Sequence, residues 1–125
     1  MAETFLVVDD SKLARMVVRQ ALRDLHPDCA ILEAATGPEA DRVDGVDTLS
    51  AAFIDFNMPD EDGLELAARL RARRPDLPIA IISANAQTDV LERARDLGAA
   101  FLEKPVSRDA LAGFVAAPAA QRRSA

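Results

Sequence analysis

Residues 5–15, FLVVDDSKLAR, contain the pattern from which the architecture of this chain follows. Four consecutive apolar residues, Phe5–Val8, are typical of a strand that is buried on both faces of a sheet. Two adjacent carboxylates, Asp9 and Asp10, come next, and a helical pattern begins at Ser11. Adjacent anions at the end of a buried strand repel each other and lose hydration, so we expect a positive charge beside them.

The composition limits the classes of protein to which the chain can belong. Its 125 residues, of which 50% are hydrophobic and 29% charged, suit one globular domain with a core. The formal charge of -6 should repel nucleic acid, and the longest apolar run, Ile79–Ile82, is far too short to cross a bilayer. The single cysteine, Cys29, cannot form an internal disulfide, and the N-terminal residues lack the pattern of a secretory signal. We expect a cytoplasmic monomer or weak dimer without nucleic-acid or membrane partners.

The unit of strand, turn and helix recurs, because short apolar runs alternate with amphipathic helical patterns. In the first helix, expected at Ser11–Leu25, the spacing places six apolar residues on one buried face. The segment 36–49 has the weakest pattern, and with Gly45 inside it predicts only a short helix. The six buried-face residues of the first helix are Leu13, Val17, Val18, Ala21, Leu22 and Leu25.

Five strands alternating with five helices predict an α/β fold, namely a doubly wound parallel sheet with helices on both faces. One domain is expected over residues 1–117, with a short tail at 118–125. The predicted strands are TFLVVDD (4–10), CAILEA (29–34), SAAFIDFN (50–57), LPIAIIS (77–83) and AAFLE (99–103), and the predicted helices are 11–25, 36–49, 64–74, 88–97 and 109–115.

Polar residues stand where the predicted strands end. Asp9 and Asp10 follow the first strand, Asp55 the third, Ser83 the fourth and Lys104 the fifth. Each alone has a simple structural explanation as a helix cap, a turn residue or a solvated charge. Ligands of doubly wound sheets bind beyond the carboxyl ends of the strands, so together these residues predict a site at that edge.

The residue types at this edge suit one kind of chemistry. Clustered carboxylates are suitable ligands for Mg²⁺, which typically uses one or two of them together with waters and phosphate oxygens. Ser83 can donate to a phosphoryl oxygen and Lys104 can pair with another. Asp55, at the centre of the sheet, is the candidate nucleophile that would carry the group as an aspartyl phosphate. The expected cation beside the acidic pair is therefore a metal ion.

Four motifs in order, VVDDS, FIDFNMPDEDG, IISA and EKP, make the chain resemble the receiver domain of two-component response regulators over nearly its whole length. The resemblance implies a flavodoxin-like strand order of 2-1-3-4-5. It also implies that Asp55 accepts phosphate from a histidine kinase or a histidine phosphotransfer protein. Such a chain is a switch in a phosphorelay and not a turnover enzyme.

The same resemblance implies individual roles. Asp10, Asp55 and the backbone carbonyl of Asn57 would bind Mg²⁺ directly, and Asp9 would act through water. By the same matching, Ser83 and Lys104 would hold the phosphoryl oxygens.

Receivers relay phosphorylation through a hydroxyl residue and an aromatic residue on the fifth strand, here Ser83 and Phe101. Phe101 lacks the hydroxyl of the tyrosine that is common at this position, so packing alone would have to bias the switch. The alternative is that Phe101 is a core residue that does not move.

Further expectations concern the loops. The resemblance implies a cis peptide bond between Lys104 and Pro105, and Gly63 is expected to supply a backbone conformation that no other residue tolerates. Asn57 and Asn85 flank the expected phosphoryl site, where we predict that they control the access of water.

Output is expected through protein contact, because only the short tail follows the last helix in this sequence. The predicted surface combines the fourth helix, the fifth strand and the fifth helix. Its expected contact residues are Ala84, Ala86, Val90, Leu91 and Phe101.

Two other functions are considered. A phosphatase of the haloacid dehalogenase kind also uses an aspartyl phosphate, but it needs an acidic residue where Asn57 stands and an insertion that forms a cap. A receiver-like docking scaffold without phosphorylation is the second alternative, although the acidic, hydroxyl and basic positions are all present.

Overall fold

A computed structural model gives the arrangement of most of the chain. Two expectations lie outside the described residues: the position of Asn85, and the domain end at residue 117 with the tail after it. The described residues are 3–43, 45–59, 61–84 and 86–116.

Five parallel strands form one sheet in the order β2-β1-β3-β4-β5, which confirms the doubly wound architecture and the flavodoxin-like order. β1 and β3 are neighbours in the sheet although β2 lies between them in the chain, so the point at which the strand order reverses lies between β1 and β3. The strands are β1 (Thr4–Val8), β2 (Ala30–Ala34), β3 (Ala51–Asp55), β4 (Ile79–Ser83) and β5 (Ala100–Glu103).

Helices connect the strands and begin and end at residues suited to those positions. The hydroxyl of Ser11 accepts a hydrogen bond from the Ala14 amide, Asp62 and Glu65 form a reciprocal capping box, and Gly98 takes the left-handed conformation with φ 75°. The segment after β2 is short, as expected. The helices are α1 (Lys12–Leu25), α2 (Gly37–Asp41), a 3₁₀ helix (Val46–Thr48), α3 (Gly63–Arg73), α4 (Thr88–Leu97) and α5 (Arg108–Ala116).

The core has two layers because successive side chains of a strand point to opposite faces of the sheet. In β1, Phe5 packs in the layer that includes α1 and α5, and Leu6 packs in the layer that includes α3 and α4. The first layer contains edge-to-face contacts between phenylalanine rings, with centroids 5.8 Å apart for Phe5–Phe53 and 5.4 Å for Phe53–Phe114. Burial on both faces explains the continuous apolar runs of the sequence.

The expected buried face of α1 is partly wrong. Val18 and Leu22 are buried as expected, whereas Leu13 is 70% exposed and Val17 is 54% exposed. Leu13 and Val17 each lie one residue before a position on the buried side, so they are rotated by about 100° around the helix axis. The apolar face of α1 is wider than the part of it that packs against the core, and its outer edge faces solvent.

The reason expected for Gly63 is also wrong. Gly63 is the first residue of α3, and its backbone is not in the left-handed region that favours glycine. A Cβ atom built at this position would lie only 2.3 Å from the carbonyl oxygen of Asp55. Close packing of α3 against the end of β3 therefore requires the glycine.

Arginine side chains near the C-terminal end of α3 connect this helix to its neighbours. Arg71 in α3 donates to the carbonyl oxygen of Leu97 at 2.7 Å, at the end of α4. Arg74 donates to the carbonyls of Val46 and Leu49, around the 3₁₀ helix. In the part of the chain that the structure describes, no helix is long and apolar enough to span a membrane.

Candidate functional site at the edge of the sheet

Three carboxylates meet at the carboxyl edge of the two central strands. Each of Asp9, Asp10 and Asp55 offers an oxygen, and these oxygens all lie within 4.8 Å of one another. Asp9 and Asp55 are 6% and 3% exposed, whereas Asp10 is open to solvent. The structure thus brings together the acidic residues that the sequence placed after the first and third strands.

Backbone contacts fix the position of Asp55. It is the last residue of β3, which lies between β1 and β4, and the next amide, Phe56 N–H, donates to the Ile82 carbonyl at 2.8 Å. Gly63 N–H donates to the Phe56 carbonyl at 2.8 Å and draws the start of α3 against this strand end. The backbone that carries Asp55 is therefore held by sheet and helix together.

Lys104 supplies the positive charge nearest to the acidic cluster. Its Nζ lies 2.9 Å from Asp55 Oδ1 and 3.5 Å from Asp9 Oδ2. The backbone positions it as well, since Lys104 N–H donates to the Ser83 carbonyl at 2.9 Å. The peptide bond between Lys104 and Pro105 is cis, as the resemblance implied, and Pro105 itself is exposed.

The charges of the site do not balance. Burial raises the pKa of Asp55, the Lys104 ammonium opposes this, and the negative charges of Asp9 and Asp10 add to the rise. Burial disfavours the charged form of Lys104, but the carboxylates of Asp55 and Asp9 raise its pKa above the usual value. One ammonium thus faces three carboxylates, and an additional cation would stabilise the ionised cluster.

The oxygen atoms present fit a hard divalent cation. Within the described residues, the buried Asp55 Oδ1 accepts no hydrogen bond of good geometry, although Lys104 Nζ is close enough for an ion pair. Carboxylate oxygens that lie within 4.8 Å of one another can share one cation, and Mg²⁺ typically binds one or two carboxylates together with waters and phosphate oxygens.

Ser83 and Phe101 lie near each other in the sheet. Ser83 ends β4 and is fully buried, and Ile81, two residues earlier, is the register partner of Phe101 in β5. Because side chains alternate along a strand, Ser83 shares a face with Ile81, whose side chain packs in the same core layer as the half-buried Phe101. The two expected switch residues are therefore on one side of the sheet.

Asn57 lies in the loop after β3. It is exposed and forms an isolated antiparallel bridge with Asp62, the residue that caps α3. Asp62 is also paired with Arg93 of α4, with Nη2 and Oδ2 3.1 Å apart. The loop that carries Asn57 is thus connected to two helices.

Sequence reasoning missed two residues, Arg15 and Glu33, that are connected to the backbone of Asp9. Arg15 Nη1 donates to the backbone carbonyl of Asp9 at 2.6 Å, and its Nε donates to Glu33 at 3.1 Å. The signal available was weak: Arg15 and Arg19 stand four residues apart on one helix face. Only the pairing of β1 with β2 places Glu33 opposite that face.

An open groove of about 440 Å³ leads from this site along α1. Asp9 and Lys104 line the end nearest the acidic cluster, and Leu13, Val17 and Val106 line the remainder. The exposed edge of the apolar face of α1 is therefore continuous with the site.

Comparisons with known proteins agree with this geometry. The sequence profile described as the response regulator receiver domain matches residues 5–116. The chain belongs to this family of two-component systems, in which phosphorylation and Mg²⁺ binding are characteristic.

Curated relatives are longer proteins. The chain is 35% identical over 103 residues to the transcriptional regulatory protein PdtaR of Mycobacterium tuberculosis, covering 82% of this chain and 49% of that protein. It is 34% identical over 111 residues to the cyclic di-GMP phosphodiesterase response regulator RpfG of Xanthomonas campestris, covering 81% and 28% respectively. The chain thus spans about half the length of these relatives or less.

Solved structures share the fold. A response regulator receiver domain protein of Clostridium thermocellum matches with a TM-score of 0.86 at 21% identity, over 97% of this chain and 96% of the other. The chemotaxis protein CheY4 of Vibrio cholerae matches with a TM-score of 0.79 at 24% identity, over 93% and 98%.

Proposed function

We propose that this chain is a phosphoacceptor switch in which Asp55 receives a phosphoryl group from a histidine kinase or a histidine phosphotransfer protein. One observation carries the proposal: a buried carboxylate at the centre of the sheet edge lies beside two others and against the Lys104 ammonium. Membership of the receiver family supports it.

The proposal assigns the metal site to the same residues. Asp10, Asp55 and the backbone carbonyl of Asn57 would hold Mg²⁺, and Asp9 would act through water. When bound, the ion would neutralise the carboxylates and the incoming phosphoryl oxygens. The fit rests on the three carboxylates within 4.8 Å.

The transfer itself is a displacement at phosphorus. A carboxylate oxygen of Asp55 attacks, the new O–P bond forms, and the P–N bond to the donor imidazole breaks. The imidazole nitrogen keeps the electron pair of that bond and is then protonated. The Lys104 ammonium pairs with one phosphoryl oxygen and the Ser83 hydroxyl donates to another, so both compensate charge that the transferred group brings.

The groove along α1 supports a direction of approach for the donor. It begins at Asp9 and Lys104, and Leu13, Met16 and Val17 offer exposed apolar surface beside it. A helix that carries the phosphohistidine can bury this surface while its imidazole reaches Asp55.

The output surface is the face formed by α4, β5 and α5, where Phe101 would respond to Ser83 by packing. An open groove of about 370 Å³ lined by Leu91, Ala94, Arg95 and Phe101 on that face supports this proposal, whereas Val90, which the sequence placed among the contact residues, is buried in the core. We also propose a cytoplasmic location, in keeping with the single cysteine Cys29, which cannot form an internal disulfide.

Phosphorylation can be tested directly by incubating the chain with phosphoramidate and Mg²⁺ and measuring its intact mass. We expect a gain of one phosphoryl group that requires Mg²⁺ and is lost in Asp55→Asn. Asp47→Asn is the matched control, because it removes the same charge from an exposed position in the 3₁₀ helix. A wild-type chain that gains no mass would refute the proposal and favour the docking scaffold. Repeated hydrolysis of phosphate monoesters would favour the phosphatase.

A further inference from the structure

Arg15 has a role that neither the fold nor the acidic cluster explains by itself. It lies in the first turn of α1 and is 15% exposed. One end of its guanidinium donates to the Asp9 carbonyl at 2.6 Å, and Nε donates to Glu33 Oε1 at 3.1 Å. Arg19, one turn further along α1, holds the other oxygen of Glu33 at 2.9 Å. A single carboxylate on β2 thus anchors Arg15 to the sheet.

These contacts fix the backbone at the acidic corner. Asp9 N–H donates to the Ala34 carbonyl at the end of β2, and Asp9 Oδ1 accepts from Ser11 N–H at 2.9 Å. The Arg15 bond holds the remaining backbone group of Asp9, its carbonyl. Because the peptide unit is planar, holding this carbonyl also fixes the direction in which Asp10 leaves the strand.

Asp10 depends on this restraint. Its side chain is exposed, and across the four described ranges no hydrogen bond orients its carboxylate. The backbone therefore determines where the Asp10 oxygen lies relative to Asp9 and Asp55. Arg15 is well suited to hold the backbone carbonyl of Asp9, since hydrogen bonds from a charged donor are stronger than neutral ones.

We infer that Arg15 is a positioning residue, which, through the Asp9 carbonyl and with Glu33 as its anchor, holds the Asp9–Asp10 corner in the geometry that binds a divalent cation. This inference rests on the proposed function. It makes a prediction of opposite sign to simple electrostatics. Removing a positive charge near an acidic cluster strengthens cation binding by Coulomb's law, whereas loss of positioning weakens it.

The test is the dissociation constant for Mg²⁺, measured by isothermal titration calorimetry on the full chain. We expect Arg15→Gln to weaken binding about ten-fold, the lower end of the range for residues that orient metal ligands. Arg15→Lys should lose less, because an ammonium can still donate to the Asp9 carbonyl. Arg19→Gln is the matched control, because this substitution removes the same charge from the same helix. Arg19 also pairs with Glu33 but does not contact Asp9. Binding by Arg19→Gln should stay within about two-fold of wild type or become slightly tighter.

The outcomes separate the inference from the function beneath it. A wild-type chain that binds no Mg²⁺ would refute the proposed metal site. Wild-type binding together with unchanged or tighter binding by Arg15→Gln would refute the positioning role alone. If Arg15→Gln does not fold, as judged by circular dichroism, Glu33→Ala replaces it: this variant keeps the Arg15 side chain but removes the acceptor that anchors it. It should also bind Mg²⁺ more weakly, and unchanged binding would overturn the inference.

Discussion

The contact between Gly63 and Asp55 gives a prediction in which two identical substitutions have opposite effects. Ala is a better helix former than Gly by about 1 kcal/mol, so Gly→Ala within a helix is stabilising where space allows. Gly113 in α5 has that space, because a Cβ built there meets no atom within 4 Å. At Gly63 the same atom would lie 2.3 Å from the Asp55 carbonyl oxygen and 3.0 Å from Ile54 Cγ2.

The magnitudes follow from these distances. The collision at Gly63 is with backbone, which cannot rotate away, so α3 or the end of β3 must shift. Forcing an extra methyl into a packed site costs about 1–3 kcal/mol. For a domain of this size 1 kcal/mol corresponds to roughly 4 °C in the unfolding midpoint. We expect Gly63→Ala to lower the midpoint by about 4–12 °C and Gly113→Ala to raise it by about 2–4 °C.

Thermal unfolding followed by circular dichroism is the suitable assay, since the chain has no Trp or Tyr for intrinsic fluorescence. Phosphorylation by phosphoramidate should also slow in Gly63→Ala, because the displaced atom belongs to Asp55, and should be unchanged in Gly113→Ala. A Gly63→Ala chain as stable as wild type, or more stable, would show that the packing argument is wrong.

Three more outcomes are expected. Leu22→Ala should reduce the free energy of unfolding by about 2–5 kcal/mol and Leu13→Ala by less than about 0.5 kcal/mol in chemical denaturation, because only Leu22 is buried. Burial raises the pKa of Asp55, so the folded metal-free chain takes up a proton more readily than the unfolded one. Acidification from neutral pH should therefore stabilise the wild type relative to Asp55→Asn. Any excess in the free energy of unfolding of Asp55→Asn should become smaller as the pH falls, measured by denaturation at several pH values. Ser83→Ala should still be phosphorylated, but about 10–100-fold more slowly in the mass assay, because one hydrogen bond to the charged phosphoryl group is lost.

Much of the architecture was predictable from the sequence because its signals are local. Continuous apolar runs such as Phe5–Val8 predict strands buried on both faces, and the polar residues after them, Asp55 and Ser83 among them, predict the edge at which a site forms. The structure confirms the parallel sheet and the meeting of the acidic residues. These features depend only on which residue follows which strand.

Other features depend on distances between elements, which no local pattern records. Periodicity could not show that the core packed against α1 does not extend to Leu13 and Val17, because the apolar residues of α1 form one continuous face. Gly63 was expected to supply an unusual backbone conformation, and only the approach of α3 to β3 reveals that space is the reason for the glycine. The contact between Arg15 and Glu33 depends on the pairing of β1 with β2, because Glu33 lies on β2, 18 residues after Arg15 in the chain.

The bond from Arg71 to the last turn of α4 has a mechanical consequence. With the Leu97 end of α4 tied to α3, any reorientation of α4 that preserves this bond is a swing about its C-terminal end. Displacement then grows towards Thr88, the end that follows Ser83. A spectroscopic label near the first turn of α4 would therefore report such a motion with greater amplitude than one near Asp96, and loosening Arg71 would remove the difference between them.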